Sequence, residues 1–125
     1  MTESEERQHE TAARATRAVV DLQAIGHNIA GIRQRIGERR HLMAVVKADG
    51  YGHGAVQVSR TALKNGADCL AVAVPEEGLE LRNAAIDCPI LVFGLLQPSE
   101  AWKPVEAGLE QTVCSVELLE ALDQE

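Results

Sequence analysis

Basic residues are in short supply: 12 Lys and Arg stand against 19 Asp and Glu, for a formal charge of −7. A general nucleic-acid binder needs a basic face to displace counterions, so that class is excluded. Cysteine is scarce as well. Cys69, Cys88 and Cys114 form an odd set without CxxC spacing or paired histidines. Such a set fits neither a disulfide framework nor a zinc site, and no metal ligands are expected. The three read as small buried thiols in a chain of a reducing, cytoplasmic compartment. Long apolar runs are missing too. The longest uncharged stretch, Cys88 to Ser99, has 12 residues, whereas a membrane span needs roughly 17–25. The opening MTESEERQHE is acidic and polar, unlike a secretory signal or an Arg-rich transit peptide. No Gly/Ser-rich or Pro-rich linker divides the chain. With 125 residues and 46% hydrophobic content, it holds one globular domain at most and is not globally disordered.

What is present is alternation. Residues 1–16 show no apolar periodicity and are expected to be a disordered tail, leaving 17–125 as the folded part. Short aliphatic runs follow at Ala18–Val20, Leu42–Val46, Cys69–Val74 and Ile90–Phe93, with a weaker one at Gln111–Cys114. The strong runs are apolar continuously, the mark of parallel strands buried on both faces. Between them, Leu22, Ile25, Ile29, Ile32 and Ile36 form a helical stripe that Asp21 is placed to cap. A second helix is expected over Gly54 to Asn65, facing Ala55, Val58, Ala62 and Leu63 inward and closed by Gly66. A third opens with Pro75, Glu76 and Glu77. Pro104 would cost about 3 kcal/mol inside a helix, so a fourth is expected to start near it. A fifth begins around Ser115, with Leu118, Leu119 and Leu122 on its apolar side. The β-α alternation predicts a parallel α/β sheet with right-handed crossovers. Two architectures satisfy it: a small doubly wound sheet, or part of a (β/α)8 barrel, which complete takes about 250 residues.

The chemistry is concentrated in Ala44-Val45-Val46-Lys47-Ala48-Asp49-Gly50-Tyr51-Gly52-His53-Gly54. Lys47 stands at the C-terminal end of the most apolar strand, where active sites of parallel α/β proteins gather. It shares a strand face with Met43 and Val45, so its stem runs over apolar surface. Desolvation there favours the free amine, a Schiff-base nucleophile or a base. The plainer alternative is a lysine whose amine reaches solvent at the strand end. Gly50, Gly52 and Gly54 allow a tight turn and a close backbone approach to an anion near a helix start. The pattern is not a dinucleotide fingerprint, since its glycines alternate and Cys69 and Leu70 occupy the place of the ribose-binding acid. Nor is it a P-loop, because no Lys-Ser or Lys-Thr pair follows. Tyr51 could bind a phosphate through its phenol or simply pack.

The whole stretch resembles the pyridoxal-phosphate lysine motif of the alanine racemases, V-V-K-A-x-x-Y-G-H-G. Val20-Asp21-Leu22 with His27-Asn28 is similar to that family's first strand-to-helix entry. Leu70–Ala73 with Glu76-Glu77 resembles its third βα unit, and Pro89–Gly94 its fourth strand. The likeness covers about residues 17 to 120. It implies an α/β fold, the N-terminal portion (about four to five βα units) of a PLP-binding (β/α)8 TIM barrel, followed in the family by a β-rich domain. It implies that Lys47 is catalytic, holding pyridoxal 5'-phosphate and exchanging the substrate Cα proton on one face, and that Tyr51 binds the cofactor phosphate. The implied reaction converts L-alanine to D-alanine for peptidoglycan, in a cytoplasmic homodimer without nucleic-acid or membrane partners. A non-catalytic PLP-binding module and a related racemase, such as one for serine, are the alternatives.

Racemisation needs bases on opposite faces of a planar intermediate. In the family the second is a β-domain tyrosine of the partner subunit, and it has no counterpart here, because Tyr51 is the one tyrosine present. The chain is therefore expected to be an incomplete N-terminal fragment, inactive alone. The remaining features take ordinary readings. Arg33, Arg35, Arg39 and Arg40 read as a solvated basic helix end. Residues 100–125 read as an acidic surface, and Phe93 and Trp102 as core or interface filler. Strands left bare by an open barrel would expose an apolar strip.

Overall fold

A computed structural model describes residues 16–125; the expected tail, all but Thr16, lies outside them. Four strands, β1 (Met43–Val45), β2 (Cys69–Val72), β3 (Ile90–Val92) and β4 (Glu110–Gln111), alternate with helices α1 (Leu22–Ile36), α2 (Ala55–Lys64), α3 (Pro75–Asn83), α4 (Trp102–Glu106) and α5 (Val116–Gln124). All strand pairs are parallel and the spatial order is β1-β2-β3-β4. That order separates the two candidate architectures. A doubly wound sheet reverses direction at a switch point. Successive right-handed crossovers that never reverse keep their helices on one face, as along the wall of a barrel.

The register shows how the faces divide. Ala44 aligns with Leu70 and Ile90, and Val72 with Val92. These residues, with Val46, point toward the helices and form the core with Ala55, Leu81 and Ile86. The odd-numbered positions face the other way. There Met43 and Val45 remain 40% and 41% exposed. Only in β2 are the odd positions, Cys69 and Ala71, covered by their neighbours. The apolar strip expected of an open barrel is thus present.

Local signals predict most helix ends. Asp21 accepts from the N–H groups of Gln23 (2.9 Å) and Ala24 (3.0 Å) at the start of α1. Ser115 Oγ does the same for Leu118 at α5 (3.2 Å). α2 closes as expected at Gly66, with Ala67 N–H donating to Ala62 O (3.0 Å). Pro104 sits in the first turn of α4, preceded by a 3-10 turn at Pro98–Glu100. At that position its missing N–H removes no helical bond, so α4 starts two residues earlier than expected.

Several expectations are corrected. Ala18–Val20 is not a strand: Val19 lies 85% exposed, so the run buries nothing that would hold it beside the open edge of β1. The last strand is Glu110–Gln111 rather than Gln111–Cys114, and Cys114 beyond it is exposed. Cys69 is buried and Cys88 half-buried; desolvation raises both thiols above their ordinary pKa. The α1 stripe is only half-buried, with Ile32 exposed and Gly26 the one buried residue of the helix. α1 crosses α2 at Gly26, where a Cβ would meet the Asn65 amide at 2.8 Å. Leu118 is buried but Leu119 is exposed.

Two arginines lock the end of the sheet opposite Lys47. Arg33 is no solvated helix end. Its guanidinium donates to Gly66 O (2.9 and 2.8 Å), Gly37 O (2.9 Å) and Arg40 O (2.7 Å), and pairs with Asp68. Arg82, on α3, repeats the device two βα units later. It donates to Ala107 O (3.0 Å), Ile86 O (2.6 Å), Cys88 O (2.9 Å) and Gly108 O (2.8 Å). A planar fork of five donors suits such converging carbonyls.

Candidate functional site

β1 ends at Val45, and Val46 N–H makes one further ladder bond to Ala71 O (2.9 Å). Beyond Lys47 the backbone inverts. Ala48, Asp49, Gly50 and Tyr51 have φ of 51, 53, 61 and 56° with ψ between 38 and 51°, a complete turn of left-handed helix. For L-residues this costs roughly 1–2 kcal/mol each, so surrounding bonds must hold it. Asp49 Oδ1 accepts from Ala55 N–H (2.7 Å) at the start of α2, and Gly54 N–H donates to Asp49 O (2.9 Å). His53 Nδ1 lies 3.0 Å from Tyr51 O and 3.1 Å from Gly50 O. Glu77 accepts from Ala48 N–H (2.7 Å) through Oε1 and from Ala73 N–H (2.7 Å) through Oε2. Gly50 is buried under α2, where a Cβ would come within 3.3 Å of the Ala55 backbone.

The inverted turn brings Tyr51 back over the end of its own strand. Lys47 Nζ lies 5.9 Å from the Tyr51 ring centroid and 5.5 Å from that of Phe93, just past β3. Phe93 follows Val92 out of the ladder, and Gly94 after it lets two strand ends close up: a Cβ there would stand 2.1 Å from Ala73 O. Phe93 is therefore not core filler. It is 37% exposed, on the same side of the sheet as Lys47. Trp102 is not core either, being 45% exposed on the outer helical layer. There, with Pro75, Leu79 and Lys103, it lines a hollow of about 320 Å³.

The two lysines Lys47 and Lys103 show what sets the first apart. Lys103 is clasped by Glu100 and Glu76, each at 2.7 Å. The bonds from Glu100 and then Glu76 raise its pKa and fix it as an ammonium. Among the described residues no carboxylate lies within ion-pair distance of Lys47. Its amine meets two aromatic rings and open space instead. An amine that no carboxylate engages, beside a half-exposed phenol, is a donor set suited to an aldehyde that carries a phosphate. No group of metal-ligating side chains occurs among the described residues.

The structure thus brings together Lys47 and Tyr51, the two site residues expected from the sequence, and adds Phe93, Asp49 and Glu77. Only Glu77 had a local signal, an acid in the first turn of a helix opened by proline. That signal predicts its bond to Val74 N–H (3.3 Å) and not its reach to Ala48.

Residues 20–125 match the family described as alanine racemase, N-terminal domain. The chain is 50% identical over 107 residues to an alanine racemase of Methanococcus maripaludis, covering 86% of this chain and 29% of that protein. It is 44% identical to alanine racemase 1 of Bacillus subtilis, covering 86% and 28%. Among solved structures, alanine racemase from E. faecalis superposes with a TM-score of 0.79 at 42% identity, over 84% of this chain and 29% of that one. The Bacillus anthracis alanine racemase with bound L-Ala-P gives 0.79 at 39%, over 84% and 27%. The chain spans less than a third of the length of each of these relatives.

Proposed function

This chain belongs to the alanine racemase N-terminal domain family, with the fold of the first part of its barrel, and on that premise we propose that it serves the interconversion of L- and D-alanine with pyridoxal 5'-phosphate. The observation that carries the reading is the Lys47 amine at the C-terminal mouth of the sheet, flanked by Tyr51 and Phe93 and clasped by no described carboxylate. When bound, the cofactor supplies a ring that takes up the charge left as the Cα proton departs.

The chain's own residues divide the rest. Lys47 would hold the cofactor through its aldehyde, and the Lys47 amine would take or return the substrate Cα proton on its own face. Phe93 flanks that amine with an aromatic ring and offers it no polar atom. The Tyr51 hydroxyl would donate to the cofactor phosphate. The inverted turn and Asp49 keep phenol and amine at a set spacing. A base on the opposite face is required, and we place it in the part of the relatives' length that this chain does not span. The 125 residues alone are accordingly expected not to turn over alanine. A cytoplasmic, homodimeric enzyme providing D-alanine for peptidoglycan completes the proposal. Among the described residues no helix is long and apolar enough to cross a membrane.

The test is chemical. The chain is mixed with pyridoxal 5'-phosphate, reduced with borohydride and digested, and the modified lysine is located by mass spectrometry. Lys47 is expected to carry the label ahead of Lys64 and Lys103, and Lys47→Ala to lose it. Labelling spread evenly over the three lysines would overturn the assignment.

A further inference from the structure

In a parallel pair the strand ends separate only when something other than the neighbouring strand takes their N–H groups. Between β1 and β2 that acceptor is one carboxylate. Glu77, in the first turn of α3, accepts from Ala48 N–H at 2.7 Å with one oxygen. With the other it accepts from Ala73 N–H at 2.7 Å and Val74 N–H at 3.3 Å. Ala48 directly follows Lys47 and is the first residue of the left-handed turn, at φ 51°. The bond spans 29 positions in sequence, so it ties the second βα unit to the third. Val74 has no hydroxyl to complete a reciprocal cap, which leaves the helix only part of the carboxylate's attention. Two bonds of 2.7 Å at the strand ends are charge-assisted and short.

We propose that Glu77 is the positioning residue for Lys47. By holding the Ala48 amide against the end of β2 it fixes the peptide that follows the lysine, starts the inversion of the backbone, and sets the direction in which Nζ leaves the sheet. This rests on the reading of Lys47 as the cofactor-bearing amine. Glu77 touches neither Nζ nor the cofactor in this role and acts through the backbone alone. A glutamine keeps one accepting oxygen and turns its other arm into a donor, so it can serve Ala48 or Ala73 but not both.

Two readouts test it. In the first, the chain is exposed to pyridoxal 5'-phosphate, reduced with borohydride at intervals, and the rate of labelling at each lysine is followed. Glu77→Ala is expected to slow labelling of Lys47 about tenfold or more, with Lys64 and Lys103 unchanged and Glu77→Gln in between. Ser115→Ala removes the cap of the distant α5 and controls for general destabilisation; it is expected to label as the native chain does. The second readout needs no cofactor: hydrogen exchange at the Ala48 amide is expected to accelerate in Glu77→Ala. Native-rate labelling of Lys47 in Glu77→Ala would overturn the proposal, as would equal slowing in Ser115→Ala. If the native chain shows no preference for Lys47, the reading of Lys47 falls and this role falls with it, whatever the Ala48 amide does.

Discussion

Replacing Arg82 with alanine removes four hydrogen bonds that it donates to carbonyls of two separate segments, 86–88 and 107–108. The Ala107, Ile86 and Cys88 acceptors are partly buried, and the Gly108 acceptor is exposed. A bond to a charged donor contributes about 1.5–3 kcal/mol where water cannot substitute. Water reaches the Gly108 carbonyl, so its loss costs little. The other three are discounted for partial exposure to roughly 1 kcal/mol each. The expected loss is then about 3 kcal/mol, a large share of the 5–15 kcal/mol that stabilises a typical domain. Lysine at this position keeps the charge but not the fork, and should recover about a third of it. Urea denaturation followed by circular dichroism measures both variants, with an unchanged slope confirming that the midpoint shift reports stability. A loss under about 0.5 kcal/mol for Arg82→Ala, the range of an ordinary surface change, would refute the idea that these arginines clamp the fold. Equal stability of Arg82→Lys and the native chain would show that charge, not geometry, is what counts.

Gly50→Ala and Gly52→Ala impose similar backbone cost, about 1 kcal/mol, since both glycines have positive φ (61 and 78°). Only Gly50 adds a clash with Ala55, so its variant should melt lower by the equivalent of about 1 kcal/mol more; coincident melting curves would contradict this. Asp68 is held below the ordinary carboxylate pKa, first by the Leu42 N–H and then by Arg33. A depressed folded-state pKa contributes stability that is present above the unfolded value and lost as pH falls toward the folded one. Asp68→Asn should therefore flatten the loss of stability on the acid side, and an unaltered acid limb in urea titrations at stepped pH would count against the pairing.

Three of the strands, the helix caps and the position of Lys47 at a strand end were legible because their signals are local. Asp21 and Ser115 cap helices that their own neighbours define, and Val46-Lys47 announces a strand end by its abrupt change of polarity. The choice of a barrel wall over a doubly wound sheet was not local. It depends on the order in which β1 to β4 pair, which adjacent residues do not encode. Arg33 reads as a solvated helix end in sequence, and Arg82 draws no notice there, because their acceptors are mainly backbone carbonyls and every residue offers one. Phe93 reads as core or interface filler, and the core half of that reading fails for a related reason. Its apolar run predicts burial, yet its side chain falls on the sheet face that no described helix covers. Ala48 and Tyr51 gave no sign of positive φ, since the three glycines beside them already explained a tight turn.

The four residues after Lys47 form a small piece of polypeptide of the opposite hand. For a ribosomal chain that hand is a burden at Ala48 and Tyr51 and nearly free at Gly50. For a chemist assembling this chain the relation reverses. A D-alanine at position 48 would find the observed φ and ψ among its preferred values, while keeping the amide that Glu77 binds. The bend that sets phenol above amine is thus held by side chains against the preference of an L-backbone, and stereochemistry offers a way to stiffen it without touching Lys47 or Tyr51.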